Sequence, residues 1–227
     1  MKLLLGVLPC IVMAAEVATS YQIVFLRPDP ARKAVAKEEG ERIQSAHMAN
    51  IYGLAERGVL VAAGPFDDKV HTVSGVFFFK MDSKDSALRE AAKDPTVLEH
   101  RNTVDVLSWT GPAGVGEEYR RLHKEDPKTP EGMGVHPFVM VRKIEGRASD
   151  DVVWRQHGEY LTGLRAAGKL MAAGPVAGDA SVVEVLIFER IPDAEAGQLM
   201  AGDPAVKAGL ATAETHRWWS AAHVFPR

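Results

Sequence analysis

The chain carries the same unit twice, and this repeat constrains its fold more than any other feature. Residues 47–66 (HMANIYGLAERGVLVAAGPF) align without a gap on residues 157–176 (HGEYLTGLRAAGKLMAAGPV), with nine of twenty positions identical at an offset of 110. Further on, Asp94-Pro95 matches Asp203-Pro204 and Trp109 matches Trp218, at an offset of 109. Upstream, Phe25-Leu26-Arg27 is similar to Met140-Val141-Arg142. Matches in this order divide the chain into a first unit over 21–115, a charged linker over 116–135 and a second unit over 136–227.

Each unit predicts the same elements. A short apolar strand comes first (21–26 or 138–141), then a helix stopped by Gly58 or Gly168, where a C-terminal glycine belongs. In the second unit His157, Tyr160, Leu161 and Leu164 recur at i, i+3, i+4 and i+7, one face of a helix; His47, Ile51 and Leu54 do the same in the first. Strands follow over 59–63 or 169–173 and over 74–80 or 182–190. A second helix spans 83–92 or 194–201, and a last strand spans 104–109 or 218–224. The order βαββαβ is the ferredoxin-like arrangement, with helices on one face of an antiparallel sheet. The other face is left bare, so the expected fold class is α+β, with the two units packed sheet to sheet as an intramolecular α+β barrel.

The first twenty residues, MKLLLGVLPCIVMAAEVATS, read as a secretory signal peptide. Lys2 supplies the positive start, 3–15 is almost wholly apolar, and Val12-x-Ala14 or Ala18-x-Ser20 supplies a small-residue cleavage site. The run is too short to span a bilayer, which takes about 20 residues. An exported protein, periplasmic or extracellular and without a membrane span once processed, is the expectation; a buried N-terminal strand or helix is the alternative. Cys10 is the only cysteine, so an intramolecular disulfide, a Cys-rich zinc site and an iron–sulfur cluster are excluded. Pro9 before it argues against lipidation. A net charge of −3 without a basic run argues against a nucleic-acid partner.

The histidines of the apolar stripes are the first candidates for chemistry. An inward imidazole needs a hydrogen-bond partner, and Asp94 and Asp203, opening the loop after the second helix, are placed to provide it. A carboxylate on one ring nitrogen fixes the tautomer and prepares the other for proton transfer. The alternative is a satisfied core histidine with Asp-Pro as a helix start. Gly64-Pro65 and Gly174-Pro175 end a strand and either let a ligand approach the backbone or merely bend it. Arg27 and Arg142 end the first strand of each unit, where an arginine either grips a carboxylate or phenolate or stays solvated. His71, His100, His123, His136, His216 and His223 share no ligand spacing, so no metal site is expected. Phosphate-binding and nucleophile motifs are absent.

The string His-x₁₀-Gly-x-Leu-x-Ala-Ala-Gly-Pro, with Asp-Pro about thirty residues later, resembles the YCII-related family of the dimeric α+β barrel superfamily. The resemblance covers about 21–109 and 138–224, and the chain departs from the family's usual single-unit homodimers in being a tandem with a signal-like start. It implies catalytic pairs His47 with Asp94 and His157 with Asp203, near a cleft that would take a small, aromatic or phenolic molecule. The function expected is a cofactor-free lyase or isomerase working by proton transfer, in a pseudo-dimeric monomer or a higher homo-oligomer. The alternative is a non-catalytic small-molecule binding module of the same barrel type.

Overall fold

The structure, a computed structural model, describes residues 18–67 and 72–226. Residues 1–17 of the signal-like segment and His71 lie outside them. In the first half the elements are β1 (Ala18–Pro28), α1 (Lys37–Glu56), β2 (Leu60–Pro65), β3 (Gly75–Phe79), α2 (Lys84–Ala91), α3 (Pro95–Leu98) and β4 (Asn102–Pro112). After α4 (Glu117–Glu125) the series recurs as β5 (Gly134–Lys143), α5 (Asp151–Ala166), β6 (Leu170–Ala177), β7 (Val182–Phe188), α6 (Asp193–Gly202), α7 (Pro204–Lys207) and β8 (Ala211–Ser220). The eight strands form one antiparallel sheet in the order β2-β3-β1-β4-β6-β7-β5-β8, so each half arranges its strands alike.

Local chemistry explains the helix boundaries. α1 and α5 stop just before Gly58 and Gly168, which take the left-handed φ of +71° and +66° that glycine adopts without strain. The Asp150 carboxylate accepts from the free N–H groups of Val152 and Val153 and starts α5, and the Ser83 hydroxyl does the same for α2 with Ser86.

The halves join at two seams. At one, β4 pairs with β6 through Ser108–Ala177 and Trp109–Val176. At the other, Phe66 bridges to Trp218 and the Asp67 N–H donates to the Arg217 carbonyl, so the two end strands of the sheet meet again. Few backbone bonds cross either seam, and the shared interior holds the halves together. Tyr21, Ile23, Phe25, Phe78 and Trp109 of the first half form one buried cluster with Phe138, Met140, Ile187 and Trp218 of the second. Phe138 sits edge-on to Phe25, Phe66 and Trp218, with ring centroids 6.0, 5.3 and 6.0 Å apart. Such pairs add about 0.5–1.5 kcal/mol each beyond their buried area. Two further clusters lie between the outer sheet face and the helices, one in each half.

Three sequence expectations need correction. β1 begins at Ala18, not at residue 21, because Ala18, Thr19 and Ser20 pair with Pro112, Gly111 and Thr110 of the long β4. The last strand of the second half is Ala211–Ser220, not 218–224: Trp218 lies near its end, as Trp109 lies near the end of β4. The 116–135 segment is not a plain linker, for it contains α4, whose Arg121 reaches Glu118 at i−3 and Glu125 at i+4.

Candidate functional site

Each histidine meets the aspartate of its own half. In the first, α1 carries His47 inward, and its Nδ1 lies 2.8 Å from Asp94 Oδ2. Asp94 is fully buried. Its Oδ1 accepts from the Thr96 N–H and hydroxyl at 2.9 and 2.6 Å, and its Oδ2 accepts from Asn50 Nδ2 at 2.9 Å. Asp94 is therefore the N-cap of α3 and the partner of the histidine at once, so the two readings of Asp-Pro are compatible. Burial alone would raise its carboxyl; the hydrogen bonds from His47 and Thr96 overcome this and hold it below the ordinary aspartate value. In the second half Asp203 Oδ1 caps α7 through the Ala205 N–H at 2.8 Å, and Asp203 Oδ2 lies 2.6 Å from His157 Nδ1.

The surroundings of the two pairs then diverge. His47 lines a cavity of about 400 Å³ with an apolar wall that includes Leu26, Met48, Ile51, Leu60 and Phe77. Gly64 and Pro65 line it too, as do Tyr119 and Arg120 of α4. The His47 ring stacks on Phe77 at 5.9 Å. In the neutral ring that donates from Nδ1 to Asp94, Nε2 carries the lone pair, and among the described residues Nε2 has no hydrogen-bond partner. At His157 the second ring nitrogen is taken: Nε2 lies 2.8 Å from Glu184 Oε2. The His157 side chain is 5 % exposed against 13 % for His47. Burial opposes a charge on His157, but the Asp203 and Glu184 carboxylates on either side outweigh it and push the imidazole up to about 9. An imidazolium held at both nitrogens has no lone pair to offer as a base.

The sequence reading missed several participants. Asn50 follows His47 at i+3 on the same helical face, a readable signal. Ser74, Thr96 and Asn102 extend the network from Asp94 to the cavity wall, with Asn102 Nδ2 3.0 Å from Thr96 Oγ1 and Ser74 Oγ 2.9 Å from Asn102 Oδ1. Glu184 was also legible, as a lone carboxylate inside the apolar run VVEVLIF.

Other candidates lie elsewhere. Arg27 and Arg142 line a separate cleft of about 290 Å³ with Lys84 and Asp105. Their guanidinium groups already hold acids, Arg27 to Asp105 at 2.5 Å and Arg142 to Glu214 at 2.5 Å. Gly174 sits at the β4–β6 seam, where its carbonyl accepts from Trp109 Nε1 at 3.1 Å. A methyl group there would collide with the Thr110 carbonyl, as one on Gly64 would collide with the Trp219 carbonyl across the other seam. These glycines let the halves approach, and Gly64 borders the His47 cavity as well. Pro175 is exposed on β6, opposite Glu184. Among the described residues no three His, Cys, Asp or Glu side chains are grouped to hold a metal ion, and no helix is long and apolar enough to cross a membrane.

In comparisons with known proteins, no family profile and no curated protein matches the sequence. Solved structures do match in shape. One, provisionally described as a chlorite dismutase, superposes with a TM-score of 0.54 at 8% identity over 89% of this chain and 94% of its own. Another, described as a heme-binding protein from Thermus thermophilus, has a TM-score of 0.54 at 15% identity over 90% of this chain and 93% of its own. At such identities the likeness is one of fold alone: the chain shares its mixed α+β architecture with these two proteins.

Proposed function

We propose that the His47 cavity is a catalytic site for a small molecule, with His47 as general base and Asp94 as the group that orients it. The observation that carries this is the asymmetry of the ring: Nδ1 is hydrogen-bonded to a buried carboxylate, and Nε2 is free beside an apolar cavity. A substrate proton, from a phenol or an acidic C–H, passes to Nε2 while the Nδ1 proton stays on its bond to Asp94. The imidazolium so formed is stabilised by the carboxylate behind it, a preparation worth about 10²–10⁴-fold in rate. On this reading the reaction is a cofactor-free lyase or isomerase step. His157 and Asp203, although built alike, are not its base, because Glu184 holds the second ring nitrogen.

The reading includes two ferredoxin-like units closed into an intramolecular α+β barrel, in an exported protein akin to the YCII-related family. The repeated His, Ala-Ala-Gly-Pro and Asp-Pro elements and the matching strand orders of the halves support the paired units and the likeness to that family; the signal-like start of the sequence is the ground for export. The apolar cavity wall also favours a second reading, a binding module without turnover.

One experiment separates them. Solvent deuterium incorporation at the acidic C–H positions of a panel of small enolisable acids is followed by NMR for the wild type and for His47→Ala. Exchange that drops about 10²–10⁴-fold in a folded His47→Ala protein is expected. Asp94→Asn should cost less, since a hydrogen bond survives. Unchanged exchange with a lowered melting temperature would leave only the binding module.

A further inference from the structure

We propose that the ligand of the His47 cavity sets an anionic oxygen against His47 Nε2, at the place the Glu184 carboxylate fills beside His157, so that each chain has one open site and one self-occupied site.

Strand register supports the equivalence. In the first half Gly64 pairs with Val76 and Pro65 with Gly75. In the second, Gly174 pairs with Val185 and Pro175 with Glu184. Gly75 and Glu184 therefore hold the same station opposite the Gly-Pro strand end, and each strand faces the histidine of its own half. Where the second half has a carboxylate on Nε2, the first has no side chain, and Gly75 lines the open cavity. A side chain at 75 would crowd the Gly64 carbonyl, with its Cβ 2.9 Å from that oxygen. The gap therefore belongs to the backbone geometry of β2 and β3.

The second half thus displays, with a tethered carboxylate, a complex that the first half can form with a free ligand. Its chemistry is specific: Asp203, imidazole and carboxylate oxygen stand in one chain of hydrogen bonds, 2.6 and 2.8 Å long. Charge-assisted bonds of this kind are the strong ones. Arg120, on the wall of the His47 cavity, adds positive charge, and Glu131 on the same wall limits it. The apolar remainder calls for a compact acid group on an apolar body. The inference rests on the proposed site but not on turnover. The oxygen either arrives charged, as a carboxylate, with Nε2 taking a proton from solvent as it binds, or acquires its charge when Nε2 takes the ligand's own proton, as in a phenol. In both cases the final state is an imidazolium against an oxyanion.

The test is binding by calorimetry to the full chain. Phenylacetate supplies a resident charge, a nitrophenol has a spectrum that reports ionisation, and phenylacetamide is the neutral counterpart. The wild type should bind one phenylacetate per chain, with the amide about tenfold to hundredfold weaker. His47→Ala should abolish this binding. Glu184→Ala should bind two, and the double variant one. A nitrophenol that binds and turns to phenolate in the site identifies proton transfer as the source of the charge; phenylacetate binding without that change identifies a resident carboxylate. Equal affinity for acid and amide would overturn the proposal. So would a folded Glu184→Ala protein with no second site. The wild-type acid–amide comparison decides the matter by itself if that variant does not fold. Acid binding without any deuterium exchange would refute the general base and leave this inference standing; exchange without preference for anions would do the reverse.

Discussion

Replacing Gly174 with alanine tests whether the seam between the halves is as close as the structure shows. The added methyl would fall inside the van der Waals shell of the Thr110 carbonyl oxygen, 2.9 Å from the Thr110 carbonyl carbon and 3.1 Å from Trp109 Nε1. The obstacle is backbone of β4, which cannot swing aside as a flexible side chain would. Relief requires β6 to move away from β4, which breaks the Trp109 Nε1–H bond to the Gly174 carbonyl. Overpacking of a tight interior costs about 1–3 kcal/mol, and a lost buried hydrogen bond about 1 kcal/mol more. The expected loss is therefore about 2–4 kcal/mol. At about 2–4 °C per kcal/mol for a chain of this size, the melting temperature should fall by about 5–15 °C. Gly163→Ala is the control: it lies within α5, an added methyl there meets nothing within 4 Å, and it should stabilise by about 0.5–1 kcal/mol. Urea unfolding followed by tryptophan fluorescence measures both. A Gly174→Ala protein within about 0.5 kcal/mol of wild type would show that the seam is loose and refute the argument.

Other outcomes follow from the same contacts. His157 is pushed up to about 9 in the folded chain, from the ordinary 6.5. Its raised value means that the stabilisation, about 3 kcal/mol, is complete below pH 6.5 and is lost as pH rises through about 9. Unfolding free energies measured from pH 6 to 10 should therefore fall, and Glu184→Gln should flatten the fall; a flat wild-type profile would contradict the paired imidazolium. Phe138→Ala, which empties the centre of the shared interior, should cost about 3–5 kcal/mol, read by thermal unfolding, whereas a cost below about 1 kcal/mol would mean that the halves do not share a core there. Asp94→Ala removes both the α3 cap and the partner of His47, so it should lose about 1–3 kcal/mol as well as exchange activity, while Asp94→Asn should keep most of the stability.

Much of this was legible before any coordinate. The repeat predicts two like strand orders, and helical periodicity turns His47 and His157 toward the sheet. Asp-Pro starts a short helix in each half, which puts an acceptor where an inward histidine needs one. These inferences succeed because they rest on local rules, 3.6-residue periodicity and N-capping, acting on both copies alike. The misplaced last strand shows where such rules weaken. Residues 218–224 contain more apolar and aromatic side chains than the preceding turn of sequence, yet the strand is Ala211–Ser220, because pairing with β5 over Gly134–Lys143 sets its extent.

By itself the sequence determined a twofold α+β chain in which each half holds a histidine next to an aspartate. Tertiary structure alone decided that the two pairs are not equivalent. Whether a ring nitrogen faces a cavity or a carboxylate depends on which residue stands opposite a Gly-Pro strand end, Gly75 in one half and Glu184 in the other. Cross-strand register sets that, and register is fixed by burial of whole strand faces rather than by any local motif. The seam glycines teach the same lesson. Gly174 reads locally as a strand bend near a ligand, but its lack of a side chain is required by the Thr110 carbonyl, far away in sequence and in the other half.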